Sequence, residues 1–179
     1  MTALAVFVIV GVAMSLIAAV VLYFHPVVMN MRAEQDGQQH EVIIEEEMGS
    51  GSNGYRRLNV TLNGQVLIAD VSTTNEQRTK GLTVKDSLAE NEAMLFVFGN
   101  QAPHRFWMKD MKFPIDILWV DSDKTIVHIE HNLQPCSSGV LCSTYEPNVK
   151  ALYVLETVGG FAEKYDVVKG TTVQFEPNA

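Results

Sequence analysis

From Ala3 to Phe24 the chain carries no charged side chain, and nothing else in the sequence limits its architecture so strongly. As a helix, at ~1.5 Å per residue, this run extends about 33 Å, the hydrocarbon thickness of a bilayer. Thirteen of its residues are Leu, Ile, Val or Phe. At roughly −0.3 to −0.6 kcal/mol each, they favour insertion by on the order of 6 kcal/mol. A helix buried in a protein core is the competing reading, but core helices of this length keep a polar face. A cleavable signal peptide needs a charged leading segment, a shorter apolar stretch and a small-residue cleavage site. This run instead exits through Tyr23, Phe24, His25 and Pro26. The sequence therefore predicts an uncleaved single transmembrane anchor within residues 1–29, meeting the membrane through residues 3–24.

Residues 30–54 are rich in Gln, Glu, Gly, Ser and Asn. Such a segment cannot bury enough apolar surface to offset its chain entropy, and a flexible acidic linker is expected. Only Arg32 closely follows the apolar run, so the positive-inside rule has little to act on. The acids Glu34, Asp36, Glu41, Glu45, Glu46 and Glu47 give no reason to hold the following domain in the cytoplasm, and the expected location is outside it. Cys136 and Cys142 bracket the polar stretch CSSGVLC and predict a short disulfide contributing roughly 2 kcal/mol. Reduced thiols are the alternative. A zinc site is not expected, because zinc takes four ligands and the nearby His128 and His131 complete no recognised spacing.

Residues 55–179 read as a β-rich domain. Leu58 to Leu62, Asn63-Gly64 and Gln65 to Val71 form a hairpin pattern around the dipeptide that tight turns favour. Thr74 to Gln77 has capping-box spacing and Gly81 offers a stop, predicting a short helix over 75–80. Strand-length apolar runs follow at Ala93 to Phe98, Arg105 to Met111, Ile115 to Val120, Thr125 to His131, Ala151 to Val158 and Thr172 to Phe175. The expected fold is mainly β, with minor helix: a compact antiparallel sandwich or barrel with one or two short helices behind the anchor. The chain has no phosphate-binding glycine loop and no basic tract, and its net charge of −8 argues against nucleic-acid binding.

Two acids stand out because they fall in phase with apolar neighbours: Asp116 with Leu118 and Val120, and Glu156 with Leu152, Val154 and Val158. A buried acid needs a partner, and Arg78, Arg105 and Lys109 are the expected ones. Facing each other at roughly 5 to 10 Å, the two acids would suit a general acid and base of glycoside hydrolysis; a structural ion pair is the bland reading. His128 and His131, three apart on a strand, project to opposite faces, which weakens them and His104 as joint metal ligands. Trp107, Trp119, Phe106 and Phe113 suit either a sugar-stacking platform or the core. Asn59-Val60-Thr61 is a glycosylation sequon, consistent with an exterior location.

The chain also carries a spaced series of short motifs. They run from Glu76-Gln77-Arg78 and Gly81-Leu82, through Met94 to Phe98, to Phe106-Trp107-Met108-Lys109 and Pro114 to Leu118. Asp121, Ile126-Val127, Pro135, Tyr145, Ala151 to Glu156, Gly159 and Gly170 continue the pattern. In these it resembles the prokaryotic family known as domain of unknown function 192, DUF192, also counted among the uncharacterised protein families, over roughly residues 58–175. It departs at Asp110-Met111, where the family tends to have Asn-Thr, and at Gly170-Thr171, where it tends to have Gly-Asp. The resemblance implies a mostly antiparallel β domain with a helix or two, often behind a membrane anchor. It implies no reaction, and offers Arg78, Lys109, Asp116 and Glu156 as members of a shared cleft.

The expectation is thus a cell-membrane protein whose outward domain binds a small ligand, a glycan or an envelope protein, without a cofactor or catalytic motif. The alternative is a carboxylate-dependent hydrolase of a cell-surface glycan.

Overall fold

The computed structural model describes residues 49–50, 54–137 and 141–177. The predicted anchor and nearly all of the predicted linker lie outside these residues. Among the described residues no helix is long and apolar enough to cross a membrane.

The first strands are β1 (Gly49–Ser50), β2 (Arg56–Leu62) and β3 (Gln65–Ser72). Gly49 and Ser50 fall in the predicted linker, yet they pair with Arg57 and Arg56 of β2. The β2–β3 hairpin turns at Asn63 and Gly64, with φ of 44° and 79°. Two positive φ values in succession match the right-handed twist of the strands, and Asn-Gly tolerates them. Helix α1 (Asn75–Lys80) follows, closed at its start by a capping box between Thr74 and Gln77, then a 3₁₀ turn (Gly81–Val84). Strands β4 (Glu92–Ala102), β5 (Phe106–Trp107), β6 (Ile115–Val120), β7 (Ile126–Leu133), β8 (Thr144–Tyr145) and β9 (Ala151–Val158) come next. The short helix α2 (Phe161–Lys164) and β10 (Gln174–Pro177) complete the order.

Eight strands form one sheet in the order β1-β2-β3-β4-β9-β6-β7, with β10 also against β2. The expectation of a β-rich domain with one or two short helices holds, with two present among the described residues, but the pairing is not wholly antiparallel. The crossover through α1 returns the chain in the same direction, so β3 and β4 run parallel. Residues 171–177 link the two ends of the path. Ile126 N–H donates to Thr171 O at 2.9 Å and Val173 N–H to Lys124 O at 2.8 Å, before β10 pairs with β2. This joins the β7 side of the sheet to its β2 side, as a barrel requires.

The run expected as one strand over 105–111 is cut to two residues. Asp110 takes a φ of 60° and Met111 N–H turns back to Met108 O, which ends the extended backbone. Phe106 and Trp107 pair instead with Tyr145 and Thr144 of β8. This small ribbon covers one face of the large sheet, where Leu82, Met94, Phe96, Met108, Ile117, Trp119 and Val154 are packed. The Cys136–Cys142 disulfide is present, with Cα atoms 5.8 Å apart, and ties down the same region. Asp110 N–H donates to Cys136 O at 2.8 Å and Cys136 N–H to Met108 O at 2.9 Å.

Candidate functional site

Strand β9 lies between β4 and β6, and places Glu156 directly across from Met94 and Ile117. Neither neighbour offers a hydrogen-bond partner. The side chain is 4% exposed, and desolvation pushes its pKa up to about 8. Burial penalises only the charged form, so at neutral pH Glu156 holds its proton. Three buried side-chain atoms lack a hydrogen-bond partner among the described residues: Ser72 Oγ, Tyr153 Oη and Glu156 Oε2. Glu156 lines a cavity of about 130 Å³.

The cavity is lined by apolar Leu82, Phe96, Phe98, Phe106, Trp107 and Met111 and by Thr79, Gly81 and Thr83, with the cations Arg78, Lys80, Arg105 and Lys109 around it. Four cations around one neutral acid make this a positive locus on a chain of net charge −8. Glu76 pairs with Lys80 at 2.7 Å and Glu146 with Arg105 at 2.6 Å. Arg78 is held by neutral oxygens, donating to Thr73 O, to Val97 O at 3.0 Å and to Asn75 Oδ1 at 2.7 Å. Its guanidinium sits 5.3 Å from the Phe98 ring centroid, and Lys109 Nζ sits 5.7 Å from that of Trp107. Surplus positive charge at the mouth therefore resides on Arg78 and Lys109, each lying over an aromatic ring.

Asp116 does not join this cavity. Directly opposed residues in a sheet share a face, and Asp116 opposes Thr157 while Ile117 opposes Glu156, so the two acids point to opposite sides. The partners expected for Asp116 were cations; the observed partners are backbone amides. Its Oδ1 accepts from Asn132 N–H at 2.7 Å and Gly160 N–H at 2.9 Å, and its Oδ2 from Ala162 N–H at 2.7 Å. Gly160, at φ 84°, is the residue before α2. A strand carboxyl thus caps a helix that has no capping side chain of its own. The buried acid that does pair with cations is Asp70 of β3, 2.7 Å from Arg57 and 3.0 Å from Lys85.

A family model described as "Uncharacterized ACR", DUF192, matches residues 58–175, which takes in nearly all of the hairpin, the cavity and the buried acids Asp70, Asp116 and Glu156. The chain belongs to the DUF192 family. Comparison with proteins of curated function returns no match. Two solved structures share the fold. A Sinorhizobium meliloti 1021 protein with a provisional label of transcription regulator is 29% identical, with a TM-score of 0.63 over 70% of this chain and 98% of its own. A Novosphingobium aromaticivorans DSM 12444 protein of unknown function is 26% identical, with a TM-score of 0.64 over 70% of this chain and 89% of its own.

In this DUF192 domain the cavity brings together Arg78, Arg105, Lys109 and Glu156 of the residues predicted to share a cleft, and leaves Asp116 out. Trp107 is 53% exposed at the mouth, whereas Trp119 is buried and donates its indole N–H to His104 O at 2.8 Å. His104 stacks on Phe98 with ring centroids 3.5 Å apart, and burial lowers its pKa. His128 bonds Glu130 at 3.0 Å. No group of three metal-ligating side chains occurs among the described residues. Asn59 sits in mid-strand, flanked by Ile68 of β3 and Glu176 of β10. Sequence reasoning missed Phe96, Phe98, Leu82 and Met111 as cavity walls, because in sequence they are indistinguishable from core residues.

Proposed function

We propose that this DUF192 protein is a membrane-tethered binding module held outside the cytoplasm, whose cavity captures a small organic anion. The buried Oε2 of Glu156, without a hydrogen-bond partner among the described residues and set behind a ring of cations, carries the reading. A buried polar group without a partner costs about 1–3 kcal/mol, and a ligand that satisfies it recovers that amount. The apolar run from Ala3 to Phe24 and the Cys136–Cys142 disulfide support the tether and an oxidising location. A glycan hydrolase has less support, since Asp116 faces away and both its oxygens are occupied. The regulator label of the Sinorhizobium relative finds no basic tract or positive net charge here to bind nucleic acid.

Thermal unfolding of the full-length chain in detergent micelles, with small organic carboxylates and their neutral amides, tests the binding reading. A carboxylate at about 100 times its Kd adds about 2.7 kcal/mol to stability, seen as a Tm rise of several degrees. Lys109→Ala, at an exposed position, should reduce that rise and leave the ligand-free Tm within about 3 °C. Equal shifts from acids and amides would sink the anion site. The location is tested separately in intact cells with a membrane-impermeant thiol reagent. Labelling of Cys136 and Cys142 only after reduction is the expected result, and labelling only after lysis without reductant would place the domain inside.

A further inference from the structure

The cavity constrains the shape of its ligand as well as its charge. We infer that it selects a small aromatic carboxylate, with the ring against Phe96 and Phe106, the anion at Arg78 and Lys109, and a hydrogen-bond acceptor turned toward Glu156. This rests on the binding reading above and narrows it to one chemical class.

Size comes first. The cavity measures about 130 Å³, against the roughly 150 Å³ apolar cavity that holds one benzene ring. A single six-membered ring is therefore about the upper limit, and a fused pair exceeds it. The walls supply ring edges and faces: Phe96 and Phe106 meet at 85° with centroids 5.0 Å apart, and Phe98 and Phe106 at 86°. A planar ring inserted between such groups continues the edge-to-face pattern that aromatic side chains favour.

Polarity excludes the competitors. Glu156 is the one acid lining the cavity, and the lining hydroxyls of Thr79 and Thr83 already donate to Asn75 O and Lys80 O, so a sugar entering ring-first among Leu82, Met111 and the aromatic walls would strand hydroxyls at about 1–3 kcal/mol each. An amine would suit an ionised acid, but it would have to pass four cations to reach one. An inorganic anion would be held at the mouth and leave the apolar interior unfilled. An aromatic acid meets each requirement: charge outward, ring inward, acceptor at the far end.

Glu156 must then act as a donor. The elements packed against it present Met94 from β4 and Ile117 from β6, and the charged groups around the cavity are Arg78 and Lys80 of α1 with Arg105 and Lys109 beside β5. Burial raises its pKa to about 8, so its O–H is available at neutral pH and disappears in base. Acceptor recognition should follow that proton.

Benzoate and isonicotinate separate these features, because they are nearly isosteric anions that differ by one acceptor nitrogen opposite the carboxylate. Calorimetric titration of the full-length chain in micelles at about pH 7 should show both binding, with isonicotinate about tenfold tighter. At about pH 9.5, where lysine remains largely charged, the preference should vanish in the natural chain. It should persist in Glu156→Gln, whose amide keeps a donor without titrating. Equal affinities at about pH 7 would overturn the role of Glu156. Tight binding of acetate or phosphate with no preference for a ring would overturn the aromatic assignment while sustaining the anion site. Binding of no anion at all would overturn both.

Discussion

Glu156→Gln is expected to make the domain more stable than the natural chain in mild base, by up to about 5 kcal/mol, and to remove the difference in acid. The magnitude follows from a carboxyl whose ordinary value is 4.5 and which burial moves to about 8, at ~1.36 kcal/mol per pH unit. Below about pH 4.5 the acid is neutral in both the folded and unfolded chain, and its titration costs the fold nothing. Between about pH 4.5 and 8 the unfolded chain releases the proton while the folded chain retains it. The unfolded state binds fewer protons there, so stability falls as pH rises. Above about pH 8 both states are ionised and the loss levels off. Urea unfolding of the two chains at intervals from about pH 4 to 9 measures this directly, because subtracting one profile from the other cancels every other titrating group. Parallel profiles across that window would mean that Glu156 is solvated or paired in solution, and the donor role argued for it would fall with the prediction.

A protein that keeps an acid at this cost has a use for it or a partner not contained in the chain. The surroundings favour the first. Had Glu156 been a structural acid, the economical solution was close by. Asp70 lies in a neighbouring part of the same sheet, 2% exposed, and is matched by Arg57 and Lys85. The cations nearest Glu156 are spent differently: Arg105 on Glu146, Lys80 on Glu76, and Arg78 on backbone oxygens. The charge stays at the mouth while the acid stays neutral at the back, a separation suited to a ligand with one charged and one polar end.

Much of this arrangement was legible in the sequence where local rules govern. The Asn63-Gly64 turn sets the hairpin register, and that register places Arg57 opposite Asp70, so the ion pair at Asp70 followed from the turn although the phase argument passed over it. Strand periodicity identified Asp116 and Glu156 as buried, two of the three buried acids. It could not say that they face opposite sides, because that depends on which residue of β6 opposes which residue of β9, and these strands are separated by 30 residues or more of chain. Nor could it find the partners of Asp116, since backbone amides are the same at every position and leave no trace in residue identity. The strand expected over 105–111 failed for a local reason: Asp110, one of the few residue types that enter the left-handed region readily, does so here.

Asp116→Ala should be among the most damaging single substitutions in the domain. Three buried or partly buried amides from separate parts of the chain, Asn132 at the end of β7, Gly160 before α2 and Ala162 within it, share this one acceptor. Leaving each unsatisfied costs about 1–3 kcal/mol, a total of about 3–9 kcal/mol against the 5–15 kcal/mol that holds a typical domain together. The loss has a geometric side too. Asn132 adopts a φ of 46° and Gly160 one of 84°, and the carboxyl draws both unusual backbones toward β6. Close packing leaves little room to relax: a Cβ added at Gly159 would lie 2.8 Å from Asn132 Oδ1 and 3.1 Å from Pro114. Asp116→Asn keeps one acceptor oxygen and should fall between the natural chain and the alanine variant. Urea midpoints measured near neutral pH should therefore rank Asp, then Asn, then Ala, with the alanine variant unfolded or nearly so at 37 °C. An alanine variant within about 1 kcal/mol of the natural chain would show that water replaces the carboxyl at little cost, and that α2 is held by the packing of Phe161 and Ala162 alone.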